Sequence, residues 1–278
     1  MTRLTRRSWL KAASVAAMGW AWRPSSASAA PKTSGPPEPD DVRANVHPEF
    51  PSHDPAEVRK LVAAAHTDLE TVRGMVARRP ELSKVAWDWG FGDWETALGA
   101  ASHMGRRDIA EVLLTHGARP DLFTFAMLGS LDVVRAAVSA DAGLVRLPGP
   151  HGITLLRHAE SGGDAAKPVA DFLRSVGGAE AGATSLDVTA EERKRYLGRY
   201  VFGPGPEDAF EVLENRGGRL AIRRGARFGR VLHRVERPHG FAPGGAPSVR
   251  VRFHTTEGRI EALSVDDPEP IVVARRVD

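Results

Sequence analysis

The sequence predicts an α + β multidomain protein in which an all-α solenoid of about four repeats precedes a small antiparallel β-barrel. Two observations carry this prediction. Across residues 54–180, apolar residues recur at the helical period between alanine-rich segments and glycine turns. Across residues 189–278, apolar and polar residues alternate in short runs separated by glycine and proline, which is typical of strands with one buried face.

Composition limits the function. The chain has 278 residues, enough for two domains, and no cysteine, which excludes disulfides, thiolate metal sites and a cysteine nucleophile. Its net charge of +3 comes from the first 29 residues, which hold five basic residues and no acidic one. Without them, 33 basic residues face 35 acidic ones, a net charge of −2. A general affinity for nucleic acid is therefore not expected.

The N-terminal segment has the three parts of an export signal. Thr5 to Lys11 resembles the twin-arginine export motif, Ala12 to Trp22 is an apolar run too short to span a bilayer, and Ala27 to Ala29 offers a small-residue cleavage site. We predict a twin-arginine signal peptide at 1–29, a flexible proline-rich linker at 30–53, and a periplasmic or secreted protein. An ordinary secretory signal and a basic helix in the cytoplasm are the alternatives.

The stretch Glu95 to Ala118 shows the plan of one repeat. It contains a short helix with a thin, alanine-rich face, a turn at Gly105, and a second helix whose apolar stripe ends before a left-handed cap at Gly117. Two later turns, at Gly129 and Gly162, are 33 residues apart. A helix pair of this kind cannot bury its apolar face alone, so it needs similar neighbours.

These features closely resemble the ankyrin repeat, and the resemblance covers residues 54–180. It implies stacked helix pairs with a concave groove, whose surface and loop tips usually bind other proteins. The family fixes no reaction and no single ligand. We therefore predict an exported binding protein that mediates protein–protein interaction in the cell envelope through a protein partner of unknown identity, with no catalytic residue and no cofactor.

An aromatic cluster lies between the first two repeats. It consists of Trp87, Trp89, Phe91 and Trp94, although loop tips in such repeats are usually polar. Tryptophan is a favoured anchor at protein interfaces, so one interpretation is a contact platform for the partner. The other interpretation is structural, in which the rings fill the groove, pack on the next domain or cover the stack. The sequence leaves both open.

Four histidines in the repeats invite comparison with zinc sites: His103, His116, His151 and His158. Two histidines and a carboxylate can bind zinc, but no HExxH or similar spacing occurs. We therefore expect these imidazoles to hydrogen-bond loop backbone, and we predict no metal site. Three nearby carboxylates are expected to cap helices or to carry surface charge rather than to form a catalytic pair: Asp93, Glu95 and Asp108.

The C-terminal segment, 189–278, opens with a short helix, for which Thr189 is the expected N-cap and Glu192 its capping-box partner. The motif Tyr196 to Tyr200 then begins about seven or eight strands. Motif and strand number resemble the small lipocalin-like β-barrel appended to many secreted β-lactamase-like hydrolases. Their S-x-x-K nucleophile motif is missing from residues 54–278, so we predict that the protein is not an enzyme. One alternative function is the binding of a lipid or small apolar ligand by the barrel.

Arginine is frequent in the predicted barrel, with eight such residues between positions 216 and 237. Such a cationic strip is a candidate contact for an anionic membrane, for an envelope glycan or for the acidic repeat half of the chain. Four of the arginines are the candidate contacts for a polyanion: Arg219, Arg223, Arg224 and Arg227. Because the arginines alternate with apolar residues, the simpler interpretation is an ordinary solvated outer face.

Overall fold

The structure is a computed structural model that describes residues 47–48, 50–179, 186–225, 227 and 229–277. The predicted signal peptide and most of the predicted linker lie outside the described residues. Residues 49–278 form one compact unit. Within the part of the chain that is described, no helix is both long and apolar enough to cross a lipid bilayer.

Four pairs of α-helices occupy the segment where repeats are predicted. They are α1 (Pro55–Ala64) with α2 (Leu69–Arg78), α3 (Ala97–His103) with α4 (Arg107–Thr115), α5 (Leu122–Leu128) with α6 (Leu131–Ala140), and α7 (Leu155–Ser161) with α8 (Lys167–Val176). The helices of each pair pack against each other, and the first helices of successive pairs also pack side by side. Short 3-10 segments lie between some of them: Pro80–Lys84, Ala142–Arg146, Pro150–Gly152 and Gly163–Ala166. We call these four pairs the helical array.

Side-chain caps fix where several of these helices begin. An aspartate followed by a proline predicts a helix start, with Asp54 as the N-cap and Pro55 as the first helical residue. The structure confirms it, because Asp54 accepts a hydrogen bond from the backbone of Ala56 and Pro55 begins α1. Asp68 and Thr96 cap α2 and α3 in the same way. Each cap satisfies an N–H group that has no acceptor inside the helix. These helix boundaries are therefore encoded locally.

The turn between α3 and α4 brings the backbones of two pairs close together. Gly105 has a φ of +66°, a conformation that residues with side chains rarely adopt. A Cβ atom on this residue would lie 2.1 Å from the carbonyl oxygen of Ser161 in the fourth pair. Glycine is therefore required both by the turn and by the packing of the pairs.

Replacing this glycine is expected to destabilise the array. In Gly105→Ala, left-handed strain of about 1 kcal/mol adds to an overlap that costs about 1–2 kcal/mol, so the free energy of unfolding should fall by about 2–3 kcal/mol. Gly163→Ala is the matched control, because Gly163 has a φ of +64° and nothing within 4 Å of an added Cβ. Urea unfolding should show a loss of only about 1 kcal/mol in the control. Equal losses in the two variants would contradict the close approach.

A short β-hairpin connects the first two pairs. Its strands β1 (Ala86–Asp88) and β2 (Trp94–Thr96) are antiparallel, and Trp87 is paired with Glu95. Three consecutive residues of its loop have positive φ angles: Gly90, Phe91 and Gly92. The Glu95 side chain is fully buried. The hairpin thus carries a carboxylate into the interior of the array.

The C-terminal strands form a closed barrel of eight strands, in which β10 pairs with β3. They are β3 (Gly198–Val201), β4 (Ala209–Glu214), β5 (Leu220–Arg224), β6 (Arg230–Glu236), β7 (Gly240–Pro243), β8 (Arg250–Thr256), β9 (Arg259–Asp266) and β10 (Pro270–Val277). Helix α9 (Ala190–Tyr196) precedes them and has the predicted capping box of Thr189 and Glu192. The predicted small antiparallel barrel is confirmed, and its closure leaves no unpaired strand edge.

Aromatic and aliphatic side chains form the core of the barrel. Tyr196, Phe241 and Phe253 contact one another with ring centroids between 4.6 and 5.6 Å apart. The hydroxyl of the buried Tyr200 donates a hydrogen bond to the carbonyl oxygen of Tyr196 at 2.8 Å. This donor therefore does not remain unpaired in an apolar core.

One arginine of the barrel points into this core. The side chain of Arg234 in β6 is 1% exposed and lies over the ring of Phe241. Its guanidinium lies 3.1 Å from a carboxylate oxygen of Glu192 and donates to the hydroxyl of Tyr196. The expectation of a solvated outer face is therefore wrong for Arg234, whose two terminal nitrogens have protein partners.

Candidate metal centre

Three histidines and one carboxylate converge inside the unit. His66, Glu95, His103 and His151 each offer one ligand atom, and these atoms all lie within 4.8 Å of one another. In that order, the residues come from the segment after α1, from strand β2, from the last position of α3, and from the 3-10 segment before α7. We call this set the His3Glu cluster.

The carboxylate of Glu95 is the centre of the cluster. Its Oε2 atom accepts a hydrogen bond of 2.8 Å from Nε1 of Trp89. The Nε2 atoms of His66 and His151 each lie 3.4 Å from the same oxygen. Two ligands of a tetrahedral zinc ion are about 3.3–3.4 Å apart when each bond is about 2.0–2.1 Å long. These two nitrogen–oxygen separations therefore match the distance between two ligands of a tetrahedral zinc ion.

A backbone hydrogen bond orients His66. Its Nδ1 atom lies 3.0 Å from the carbonyl oxygen of Val62, one helical turn earlier. Because a carbonyl oxygen can only accept, Nδ1 carries the hydrogen, and the lone pair is on Nε2. Burial lowers the pKa of His66 by more than the nearby Glu95 raises it. The imidazole is therefore neutral at neutral pH and has a free lone pair for a metal ion.

A second carboxylate, Asp93, holds His151. Nδ1 of His151 lies 2.7 Å from Oδ2 of Asp93, and the backbone N–H of His151 donates to Oδ1 at 2.9 Å. Asp93 is itself 3% exposed. Burial lowers the pKa of His151, but Asp93 and Glu95 outweigh burial and raise the pKa to about 9 in the metal-free protein. Because Asp93 keeps a hydrogen on Nδ1, the proton that a metal ion displaces is the one on Nε2.

His103 contacts the other carboxylate oxygen of Glu95. Nε2 of His103 lies 2.9 Å from Oε1 of Glu95, an ion-pair distance, and neither atom meets another polar partner among the described residues. Burial raises the pKa of Glu95, but His103 and His151 outweigh it and hold the pKa at about 2, so the carboxylate is charged. A metal ion bound in the cluster would be within reach of both atoms.

Two of the histidines from the sequence analysis lie outside the cluster. Nδ1 of His116 lies 2.8 Å from the carbonyl oxygen of Val112, and Nδ1 of His158 lies 2.9 Å from that of Thr154. Burial lowers the pKa of His158 to about 4, so this imidazole is neutral. Both imidazoles thus contact backbone, as predicted, but the acceptors lie in their own helices or, for Thr154, at the helix N-cap rather than in loops.

The predictions for the carboxylates have mixed outcomes. The interpretation of Asp93 and Glu95 as helix caps or surface charges is wrong, because the hairpin places both in the interior. Asp108 does carry surface charge and pairs with Arg106. The sequence analysis missed His66 as a cluster member. No spacing along the chain signals it, because its partners come from other helix pairs.

The four aromatic residues predicted to bind a partner have different surroundings. Trp87 and Trp89 pack against the apolar core of the first helix pairs, and Phe91 packs against the core of the barrel. The ring centroid of Trp89 also lies 6.1 Å from that of the cluster residue His66. Trp94 is 64% exposed. Three of these four side chains thus take part in packing, whereas Trp94 presents most of its surface to solvent.

The four arginines predicted to contact a polyanion do not share one environment. Arg223 pairs with a carboxylate of β4, and Arg224 pairs with one just before that strand. Arg219 and Arg227 are exposed. Two of the four charges are therefore offset by neighbouring carboxylates.

The donor set of the His3Glu cluster is three imidazole nitrogens and one carboxylate oxygen. This set suits zinc and other first-row transition metals, whereas calcium and magnesium prefer oxygen ligands. Comparison of the chain with family models, curated proteins and solved structures finds no match.

Proposed function

We propose that this protein binds a zinc ion through the His3Glu cluster. One observation carries the proposal: the Nε2 atoms of His66 and His151 each lie 3.4 Å from one oxygen of the fully buried Glu95, a separation that matches two ligands of a tetrahedral zinc ion. The hydrogen-bond partners of His66 and His151 support it, because they occupy Nδ1 in both rings and direct the metal to Nε2.

The number of protein ligands favours a structural site over a catalytic one. Catalytic zinc sites keep three protein ligands and an open position for water, whereas structural sites are filled by four protein ligands. All four ligands here come from the protein, and they join three of the four helix pairs. The proposed role of zinc is therefore to hold the helical array together.

Three further proposals concern the setting of this site. The helical array is proposed to be an ankyrin-type stack, the barrel to be lipocalin-like, and the protein to be an exported mediator of protein–protein interaction. Their support is the sequence pattern and, for the partner surface, the exposure of Trp94. Recovery of the mature chain in the periplasmic fraction would check export, and recovery in the cytoplasm alone would contradict it.

A zinc titration of the metal-free protein tests the metal site. Competition with a chromophoric chelator should show one zinc ion bound per chain. His66→Ala should weaken binding by more than about 100-fold, beyond the range typical of residues that only support a ligand. The matched control is His116→Ala, because Nδ1 of each histidine contacts the carbonyl oxygen four residues earlier. The control should bind zinc like the unmodified protein.

Two outcomes would overturn the proposal. One is a wild-type protein that takes up no zinc from the chelator. The other is an equal affinity in His66→Ala and His116→Ala. In either case the cluster would be a metal-free network in which the charged His151 pairs with Asp93 and Glu95.

A further inference from the structure

The carboxylate behind the zinc ligand His151 also contacts the barrel. Asp93 accepts hydrogen bonds from His151 on one side and from Arg230, the first residue of β6, on the other. The Arg230 side chain is 11% exposed. A continuous chain of contacts thus runs from the metal cluster through His151 and Asp93 to the barrel.

The guanidinium of Arg230 joins three segments. Besides Asp93, it donates to the carbonyl oxygen of Gly244 in the barrel at 3.2 Å and to that of Gly90 in the hairpin loop at 3.5 Å. A planar guanidinium can hold several acceptors in a fixed geometry, which a lysine ammonium cannot do in the same way. Arg230 therefore fixes the position of Asp93 relative to both the hairpin and the barrel.

The backbone of the barrel also touches the same carboxylate. A Cβ atom on Gly245 would lie 2.6 Å from the carboxylate carbon of Asp93, and one on Gly152, the residue after His151, would lie 3.3 Å from the backbone nitrogen of Gly245. This turn of the barrel therefore packs directly on the segment that carries His151.

We propose that Arg230 and the Gly244–Gly245 turn of the barrel position the zinc ligand His151 through Asp93, so that zinc binding and docking of the barrel on the helical array stabilise each other. This inference rests on the zinc site proposed above. Groups that orient a histidine ligand commonly change metal affinity by about 10–100-fold when they are removed. The two effects are thermodynamically linked. If docking of the barrel raises the zinc affinity by some factor, zinc binding raises the docking equilibrium constant by the same factor.

Two barrel variants test the inference without altering a metal ligand. Arg230→Lys keeps the charge near the cluster but loses the forked contacts, and Gly245→Ala places a methyl group against Asp93. Each should weaken zinc binding by about 10-fold or more in the chelator competition. Arg223→Lys, on the neighbouring strand, and Gly258→Ala are the controls. Gly258 has a φ of +80°, like the +84° of Gly245, but nothing lies within 4 Å of an added Cβ.

Hydrogen exchange provides a second readout, which a purely structural role of Arg230 would not produce. In the wild-type protein, zinc should slow amide exchange in the Gly244–Gly245 turn. Zinc should slow this exchange less in Arg230→Lys. The ratio of exchange rates without and with zinc should fall by the same factor as the zinc affinity.

The outcomes separate this inference from the zinc site itself. If the wild type binds zinc while both barrel variants bind it as tightly as their controls, the coupling is wrong and the zinc site remains. If the wild type binds no zinc, the zinc site is wrong and the coupling fails with it. Weaker zinc binding in both barrel variants but not in their controls, with the change in exchange, is the expected result.

Discussion

Adding zinc to the metal-free protein is expected to raise its free energy of unfolding by about 4 kcal/mol when free zinc is about 1,000 times its dissociation constant. The physical reason is that the four ligands come from four separate segments of the chain, so the unfolded chain does not hold them together. Zinc therefore binds the folded state and shifts the equilibrium towards it. Urea unfolding followed by circular dichroism, with zinc or with a chelator, measures the difference.

The same measurement on two variants separates the specific site from general effects of zinc. In Glu95→Gln, the buried anion at the centre of the cluster is lost, and added zinc should change the free energy of unfolding by less than about 1 kcal/mol. Glu261→Gln is the control, because Glu261 is an exposed residue of β9. Zinc should stabilise the control as much as the wild type. Equal stabilisation of Glu95→Gln would show that zinc acts elsewhere on the chain.

Arg234→Ala is expected to lower the free energy of unfolding of the barrel by about 4 kcal/mol. The side chain is 1% exposed, so its removal leaves a cavity beside Phe241. It also removes the donor to the backbone carbonyl of Asp187 and one partner of the Tyr196 hydroxyl. Thermal or urea unfolding, followed through the aromatic signals of the barrel, measures the loss.

Arg223→Ala is the control for this prediction. Arg223 pairs with Glu211, but both side chains are at least 40% exposed. Exposed ion pairs contribute about 0–1 kcal/mol, so this variant should lose no more than that. A loss of less than about 1 kcal/mol in Arg234→Ala would show that the buried guanidinium contributes little to the barrel, as replaceable buried ion pairs sometimes do.

Local sequence signals accounted for the elements of the fold. Asp54 with Pro55, and Thr189 with Glu192, predict helix starts that the structure confirms, because a cap needs only residues within one turn of it. Gly105 is a local signal for a turn, because glycine readily adopts the positive φ that this residue has in the structure. Alternation of apolar and polar residues predicted about seven or eight strands, and the barrel has eight.

The tertiary structure decided which of these residues form a site. His66 and His151 meet at Glu95 only because helix pairs that are distant in the sequence pack together, and no spacing rule spans such a distance. Likewise, alternation along β6 shows which residues share a face but not which face is inside. Arg234 lies inside because its hydrogen-bond partners are there. The sequence by itself thus determined the helix pairs, the barrel strands and their order, whereas long-range packing determined the His3Glu cluster and the burial of its charges.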